Sequence, residues 1–261
     1  MSLAGEERKA FILEQLNAEG QVKTLELVKH LGVSSETIRR YLEELESDNR
    51  LKRVYGGAIK ISLDNEEPTY MKREVLYMEE KRGIGKAAAE LVEDYDVIFI
   101  DDGTTPMQMI HYLMNKKNLT VLTISIATLH LLMEYKNKEL FSGDIYFIGG
   151  KVNAAQSRVS GLVAERMLAH FNADKAFVSV DGIVLNGCIN SFDAERGQLV
   201  SRMIEQSKQT IVMTDSSKIG QSHLYRTAEW RQINMVICEV PMPRGWQQTL
   251  EEHEVGWIVA E

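Results

Sequence analysis

Cysteine and proline are both scarce in this chain, with two of the first and four of the second among 261 residues. Cys188 and Cys238 form no C-x-x-C pair, and none of the six histidines stands at an H-x-x-x-H spacing. That excludes a disulfide framework and gives no sign of a structural zinc site, so two buried, reduced thiols are expected and neither a metal nor a cofactor is. Long hydrophobic runs are missing as well: the longest, such as Val97 to Ile100, are strand-sized, and the first eight residues contain no apolar signal region. A cytoplasmic protein without membrane contact is the expectation. Internal repeats and low-complexity tracts are absent too.

What the chain does have is 44% hydrophobic residues, enough for globular cores, and an acidic excess of eight charges at a pI near 5.4. Acids and bases balance over residues 1–61, so the whole excess falls on the remainder, as two modules with different partners would have it. Leu63-Asp-Asn-Glu-Glu-Pro68 interrupts the hydrophobic pattern with polar residues. The reading is a first domain over 1–61, a linker over 62–78 and a second domain over 79–261.

The first module shows helical periodicity three times. Phe11, Ile12 and Leu16 mark a helix over Glu6 to Glu19 stopped by Gly20; Thr24 is expected to cap a second that runs to Leu31 and ends at Gly32. Ser34 is a good N-cap for a third, with Ile38, Leu42 and Leu45 on its apolar side. Helix, glycine turn and capped helix is a helix-turn-helix pattern, and Arg39 and Arg40 fall on its outward surface. Next, Arg50 to Ile61 alternates like two strands around Gly56-Gly57, read as a two-residue hairpin turn. From Asn49 to Leu63 there are basic residues and no acidic one, which suits phosphate contact. The surface expected at double-stranded DNA comprises Ser34, Ser35, Thr37, Arg39 and Arg40, with Arg53, Tyr55, Gly56 and Gly57 in the hairpin wing.

Val-Ser-Ser-Glu-Thr-Ile-Arg-Arg-Tyr-Leu-Glu-Glu-Leu-Glu from Val33, then Arg-Leu-Lys-Arg-Val-Tyr-Gly-Gly-Ala from Arg50, resembles the signature of the DeoR family of bacterial transcriptional regulators. That family usually has Asp where this chain has Tyr41.

The second module alternates strand-like runs (Asp96 to Asp101, Leu119 to Ile124, Asp144 to Ile148, Lys175 to Val180, Thr210 to Thr214, Met235 to Cys238) with helical patterns, which predicts an α/β domain with a largely parallel sheet. Ligands of such sheets bind beyond the carboxyl ends of the strands. Three ends carry suitable chemistry: Gly103-Thr104-Thr105 offers backbone N–H groups and hydroxyls to a phosphate, Asp181-Gly182 a carboxylate to sugar hydroxyls, and Asp215-Ser-Ser-Lys218 an ammonium to an anion. Gly83-Ile-Gly-Lys86 reads as the start of a helix through Leu91, Met107, Met109 and Met114 as core, and one of the adjacent Asp101 and Asp102 as solvated.

Here too the sequence is similar to the DeoR family's effector domain, which is related in fold to ribose-5-phosphate isomerase and senses phosphorylated sugars. The matching pieces are Asp-Asp-Gly-Thr-Thr from Asp101, Gly149-Gly150, Asp-Gly-Ile from Asp181 and Asp-Ser-Ser-Lys-Ile-Gly from Asp215. The resemblance implies a ligand site including Asp101, Gly103, Thr104, Thr105, Thr123, Gly149, Gly150, Asp181, Gly182 and Lys218. Pro106 stands where the family usually has a third hydroxyl, and Ile124 where it more often has Asn. The implied function is a sugar-metabolism regulator, most often a repressor, that binds operator DNA as a homo-oligomer under control of a phosphorylated sugar. The alternative is a sugar-phosphate isomerase-like enzyme fused to a DNA-binding module.

Overall fold

The computed structural model describes residues 3–19, 21–47, 51–54, 56–60, 67–186 and 188–261. The chain divides into two compact units, Met1–Asn65 and Glu66–Glu261. The expected linker over 62–78 therefore belongs, from Glu66 onward, to the second unit.

In the first unit, α1 (Leu3–Glu19), β1 (Gln21–Lys23), α2 (Thr24–Leu31), α3 (Ser35–Ser47), β2 (Leu51–Val54) and β3 (Gly57–Lys60) follow one another. Ile12, Leu16, Leu27, Ile38, Leu42 and Leu45 meet in one core, so the helical spacings read from the sequence all point inward. Ser34 caps α3, its Oγ accepting from the Thr37 N–H at 3.2 Å. Thr24 does not cap α2; it is the first helical residue, and Lys23 in β1 holds the cap position without its side chain bonding a helix N–H. Gly32 ends α2 at φ 61°, a left-handed conformation that glycine adopts without strain.

Strand β1 has no clear signal in the sequence, being three residues long, yet it completes a sheet of order β1-β3-β2. Its presence explains the glycine pair. Gly57 pairs with Val54 as the first residue of β3, so it belongs to the strand and not, as expected, to the turn. Gly56, at φ 85°, supplies the turn. Gly57 instead opens β3 where β1 passes so closely that a Cβ would run into the Val22 carbonyl oxygen.

The second unit runs α4 (Tyr70–Val75), α5 (Met78–Glu90), β4 (Val97–Ile100), α6 (Thr104–Gln108), β5 (Thr120–Thr123), α7 (Ile126–Asn137), β6 (Asp144–Phe147), β7 (Lys151–Asn153), β8 (Arg158–Ser160), α8 (Leu162–Leu168), β9 (Ala173–Ser179), β10 (Gly182–Val184), β11 (Cys188–Ser191), α9 (Ala194–Glu205), β12 (Ser207–Met213), β13 (Tyr225–Ala228), β14 (Met235–Cys238), α10 (Gln247–Glu252) and β15 (Gly256–Val259). Seven of these strands form one sheet, in the order β15-β14-β12-β9-β4-β5-β6, and every pairing in it is parallel. Successive residues of each strand feed opposite cores: Ile98, Ile100, Phe177 and Ile211 pack on the α5 side, Phe99, Val178 and Val212 on the α8–α9 side. β15, the antiparallel sheet β10-β11-β13 and the β7-β8 hairpin, all built from short strands, add to the strands expected from the sequence.

Helix α5 begins at Met78, so Gly83 and Gly85 are interior to it and do not start it. Gly85 is there because α5 crosses Gln108 and Met109 without room for a Cβ. Met109 is core as expected, whereas Met114 is exposed. Among the described residues no helix is long and apolar enough to cross a membrane.

Candidate functional site

The chain leaves β4 toward β5 on one side and later returns to place β9 on the other, so β4 and β9 flank the point where the strand order reverses. Loops leaving adjacent strand ends there diverge and open a crevice. A cavity of about 80 Å³ lies at this point. Its floor comes from three neighbouring strand ends: Gly103, Thr104 and Thr105 after β4, Ser179 to Asp181 at the end of β9, and Met213, Thr214, Asp215, Ser217 and Lys218 at the end of β12. Its remaining wall comes from Pro68, Arg73, Leu76, Tyr77 and Lys81. A Cβ at Gly103 would strike the Ser179 hydroxyl across the β4–β9 junction, so the glycine is dictated by packing as well as by the turn.

Five of the ten expected effector residues meet at the cavity: Gly103, Thr104, Thr105, Asp181 and Lys218. The other five do not line it. Asp101 is fully buried beneath it, accepting from the Ser179 N–H at 3.0 Å and Oγ at 2.8 Å. The Thr123 hydroxyl oxygen is buried and accepts from the Ser125 N–H at 3.0 Å. Gly150 and Gly182 lie where backbones of Ser160 and Gln221 approach, and Gly149 sits on the loop before β7. Ile124 is core and Pro106 is buried in the first turn of α6, so neither departure from the family pattern alters the cavity wall.

Two cations of the lining, Arg73 and Lys81, were not expected from the sequence. Arg73, Lys81 and Lys218 share the lining with the carboxylates of Asp181 and Asp215. Lys81 is 4% exposed and donates to the Arg73 carbonyl. Burial pushes its ammonium down to about 8. Asp181 is held below the usual carboxylate range: burial alone would raise it, but the Arg196 guanidinium and the Phe192 N–H outweigh burial. Asp215 Oδ1 accepts from the Ser217 N–H at 3.0 Å. Both acids are thus engaged by donors, and the cavity presents two ammoniums and a guanidinium.

Beneath the cavity runs a buried charge network. Arg196, 1% exposed, donates from Nη2 to Asp101 at 2.7 Å, from Nε to Asp102 at 2.8 Å and from Nη1 to Asp181 at 3.4 Å. Arg158, fully buried, reaches Asp102 at 3.2 Å, Asp193 at 2.7 Å and Glu67 at 2.9 Å. Contrary to expectation, neither Asp101 nor Asp102 is solvated. Burial would raise both; for Asp102 the two guanidiniums win and hold it low, while Asp101 stays raised. Glu195 bonds Ser160 at 2.8 Å, away from the cavity lining.

In the first unit, Ser34, Ser35, Arg39 and Arg40 are exposed at the start of α3, and Thr37 is half-buried. Tyr41 is buried in the core, and the Arg40 guanidinium lies 5.9 Å from its ring centre and 3.9 Å from Glu44. The Arg40 side chain is exposed, with the ring and the carboxylate at the edge of contact. Arg53 Nη1 donates to Glu43 at 2.7 Å and its N–H to Glu46 at 2.8 Å, fastening the hairpin to α3. Tyr55 lies outside the described residues. A groove of about 940 Å³ between α2, α3 and the hairpin carries Lys23, Lys29, Arg39, Arg53 and one acid, Glu26.

Compared with known proteins, residues 8–63 match the DeoR-like helix-turn-helix domain and residues 77–240 the DeoR C-terminal sensor domain. The chain belongs to the DeoR family. The DeoR chain is 30% identical over 244 residues to the glycerol-3-phosphate regulon repressor of Escherichia coli K12, covering 94% of each. It is 32% identical over 256 residues to the transcriptional repressor GlcR of Bacillus subtilis 168, covering 98% of this chain and 96% of that one. Ribose 5-phosphate isomerase A of Methanocaldococcus jannaschii aligns over 55% of either chain at 18% identity and a TM-score of 0.38. As a DeoR-family chain it is a transcriptional regulator with an N-terminal DNA-binding helix-turn-helix.

Proposed function

We propose that this regulator is a repressor of sugar-metabolism genes whose affinity for operator DNA changes when a small phosphorylated sugar or polyol occupies the cavity. The observation that carries the reading is the convergence of Arg73, Lys81 and Lys218 with the Thr104 and Thr105 hydroxyls on one cavity at the strand-order reversal. Cations and hydroxyls suit the phosphate, and Asp181 suits a carbon-bound hydroxyl. Similarity to the glycerol-3-phosphate regulon repressor of E. coli supports a phosphorylated polyol as the ligand class. In the first unit Ser34, Ser35, Thr37, Arg39, Arg40 and Gly56 meet the DNA, with Arg53 positioning the hairpin. Two copies of the chain would read the two half-sites of a symmetric operator.

A receptor fits the cavity better than an isomerase does. General-base catalysis needs a carboxylate free to take a proton, whereas Asp181 is tied to Arg196, Ser191 and the Phe192 N–H and held low. A thermal-shift screen of phosphorylated sugars and polyols tests the reading: at least one raises the melting temperature of the wild type and not of Lys218→Ala. Ketose formation from ribose 5-phosphate by the purified protein would overturn the receptor view.

A further inference from the structure

Arg73 has a position that neither the family motifs nor the sequence reading assigns. It lines the cavity beside Lys81 and Lys218. Its Nη2 pairs with Glu67 Oε1 at 3.0 Å and also donates to Gln156 Oε1 at 2.9 Å. Its Nε is buried with no hydrogen-bond partner among the described residues. Glu67 is 6% exposed at its side chain and bonded to both Arg73 and Arg158. Arg158 already holds Asp102 and Asp193, so it remains compensated if Glu67 moves.

Glu67 is also the second residue of the second unit, which begins at Glu66. The chain just after the junction is held to the rest of the second unit by the Glu67 carboxylate on the two arginines, the Glu67 and Pro68 carbonyls accepting from Gln156 Nε2 at 3.2 and 3.3 Å, the Tyr70 hydroxyl donating to Met107 Sδ at 2.8 Å, and Lys81 donating to the Arg73 carbonyl. Pro68 itself lines the cavity.

We propose that Arg73 is an anion-receiving residue of the effector cavity, and that Glu67 is its resident counter-charge, exchanged for the phosphate of the effector. Resting on the effector reading above, this names the regulated contact. A phosphate at Lys81 and Lys218 lies beside a guanidinium that has an unpartnered N–H and only a single contact to Glu67, whereas a phosphate offers it several acceptor oxygens. As Arg73 turns to the phosphate, Glu67 loses one of its two cations and the like charge of the ligand repels it. The exchange therefore loosens the first residues of the unit, those joined in sequence to the DNA-binding unit. A ligand that shifts an equilibrium must contact the two states differently, and this pair supplies the difference.

The test is calorimetric titration of the full-length chain with glycerol 3-phosphate and with inorganic phosphate, using wild type, Glu67→Gln, Arg73→Gln and Lys218→Ala. Gln at 67 retains an acceptor for Arg158 while removing the competing charge. The expected result is tighter binding by about tenfold for Glu67→Gln and weaker binding by about tenfold for Arg73→Gln, the loss of one charge-assisted bond. A purely structural pair would move both variants the same way. Independently of any variant, hydrogen exchange of the wild type should show the amides of 70–76 exchanging faster with ligand bound. Binding that depends on Lys218 but ignores both Glu67→Gln and Arg73→Gln, with unchanged exchange at 70–76, overturns the exchange of partners and leaves the cavity reading standing. No binding of either probe to the wild type overturns both.

Discussion

Replacing Arg196 by Met is the sharpest perturbation of the second unit. The guanidinium joins Asp101, Asp102 and Asp181 at 2.7, 2.8 and 3.4 Å, and with it gone three buried carboxylates keep only Arg158, on Asp102, and neutral donors. Removing one partner of a buried ion pair costs about 3–5 kcal/mol, since the remaining charge is left in a medium that solvates it poorly. For a unit of this size each kcal/mol corresponds to about 2–4 °C, so a fall of roughly 6–20 °C in melting temperature is expected. The protein's three tryptophans, Trp230, Trp246 and Trp257, all lie in the second unit, so their fluorescence in a urea titration follows that unit alone. The pH dependence has a definite sign. In the wild type Asp102 and Asp181 are depressed in the folded state, so they stabilise above the ordinary carboxylate range and lose that contribution as pH falls. In the variant they are buried without Arg196 and take up protons in mild acid. The gap between the two proteins should therefore narrow from pH 7 to pH 5. A destabilisation below about 1 kcal/mol at pH 7, or a gap of the same size at both pH values, would refute the claim that Arg196 compensates these acids.

Arg39→Ala combined with Arg40→Ala should weaken DNA binding and lower the slope of log affinity against log salt by up to about 1.8, at roughly 0.9 for each phosphate no longer neutralised; an unchanged slope in a gel-shift series rejects the proposed DNA-facing surface. Affinity for any phosphorylated polyol that fills the cavity should fall as pH rises from 7 through about 8, the value to which burial lowers Lys81, because the ammonium deprotonates there; calorimetry giving a flat profile from pH 7 to pH 9.5 contradicts a role for Lys81. Gly57→Ala should cost the first unit more than the ~1 kcal/mol strain expected for Gly56→Ala, because the added methyl collides with Val22 and parts β1 from β3. Hydrogen exchange at the β3 amides distinguishes the two, and equal protection would sink the argument.

Local features were legible wherever chemistry and periodicity fell within a few residues. Ser34 and its capped helix, the inward row Ile38, Leu42 and Leu45, and the three strand ends that build the cavity floor are all of this kind. Gly57 was misassigned to the hairpin turn because it answers to a strand 35 positions earlier, at Val22, and not to the turn. Arg158 and Arg196 gave no signal for the same reason: their partners are Glu67, Asp102 and Asp101, far away in sequence and brought close only by the fold. Lys81 reads as one more charged residue of a helix until α5 is seen to bury that face. Asp101 was legible as important but not in its role, since a motif residue can hold up a site from beneath without lining it.

If filling the cavity alters affinity for DNA, as proposed above, a DNA-binding titration reads the effect. Fluorescence anisotropy on DNA from upstream of the protein's own gene, with and without a saturating phosphorylated polyol at constant ionic strength, gives the coupling as a ratio of affinities. A change of about 5–150-fold, corresponding to roughly 1–3 kcal/mol, is expected for the wild type, and little change for Lys218→Ala at the same ligand concentration. Identical wild-type affinities with the cavity demonstrably filled would contradict the proposal.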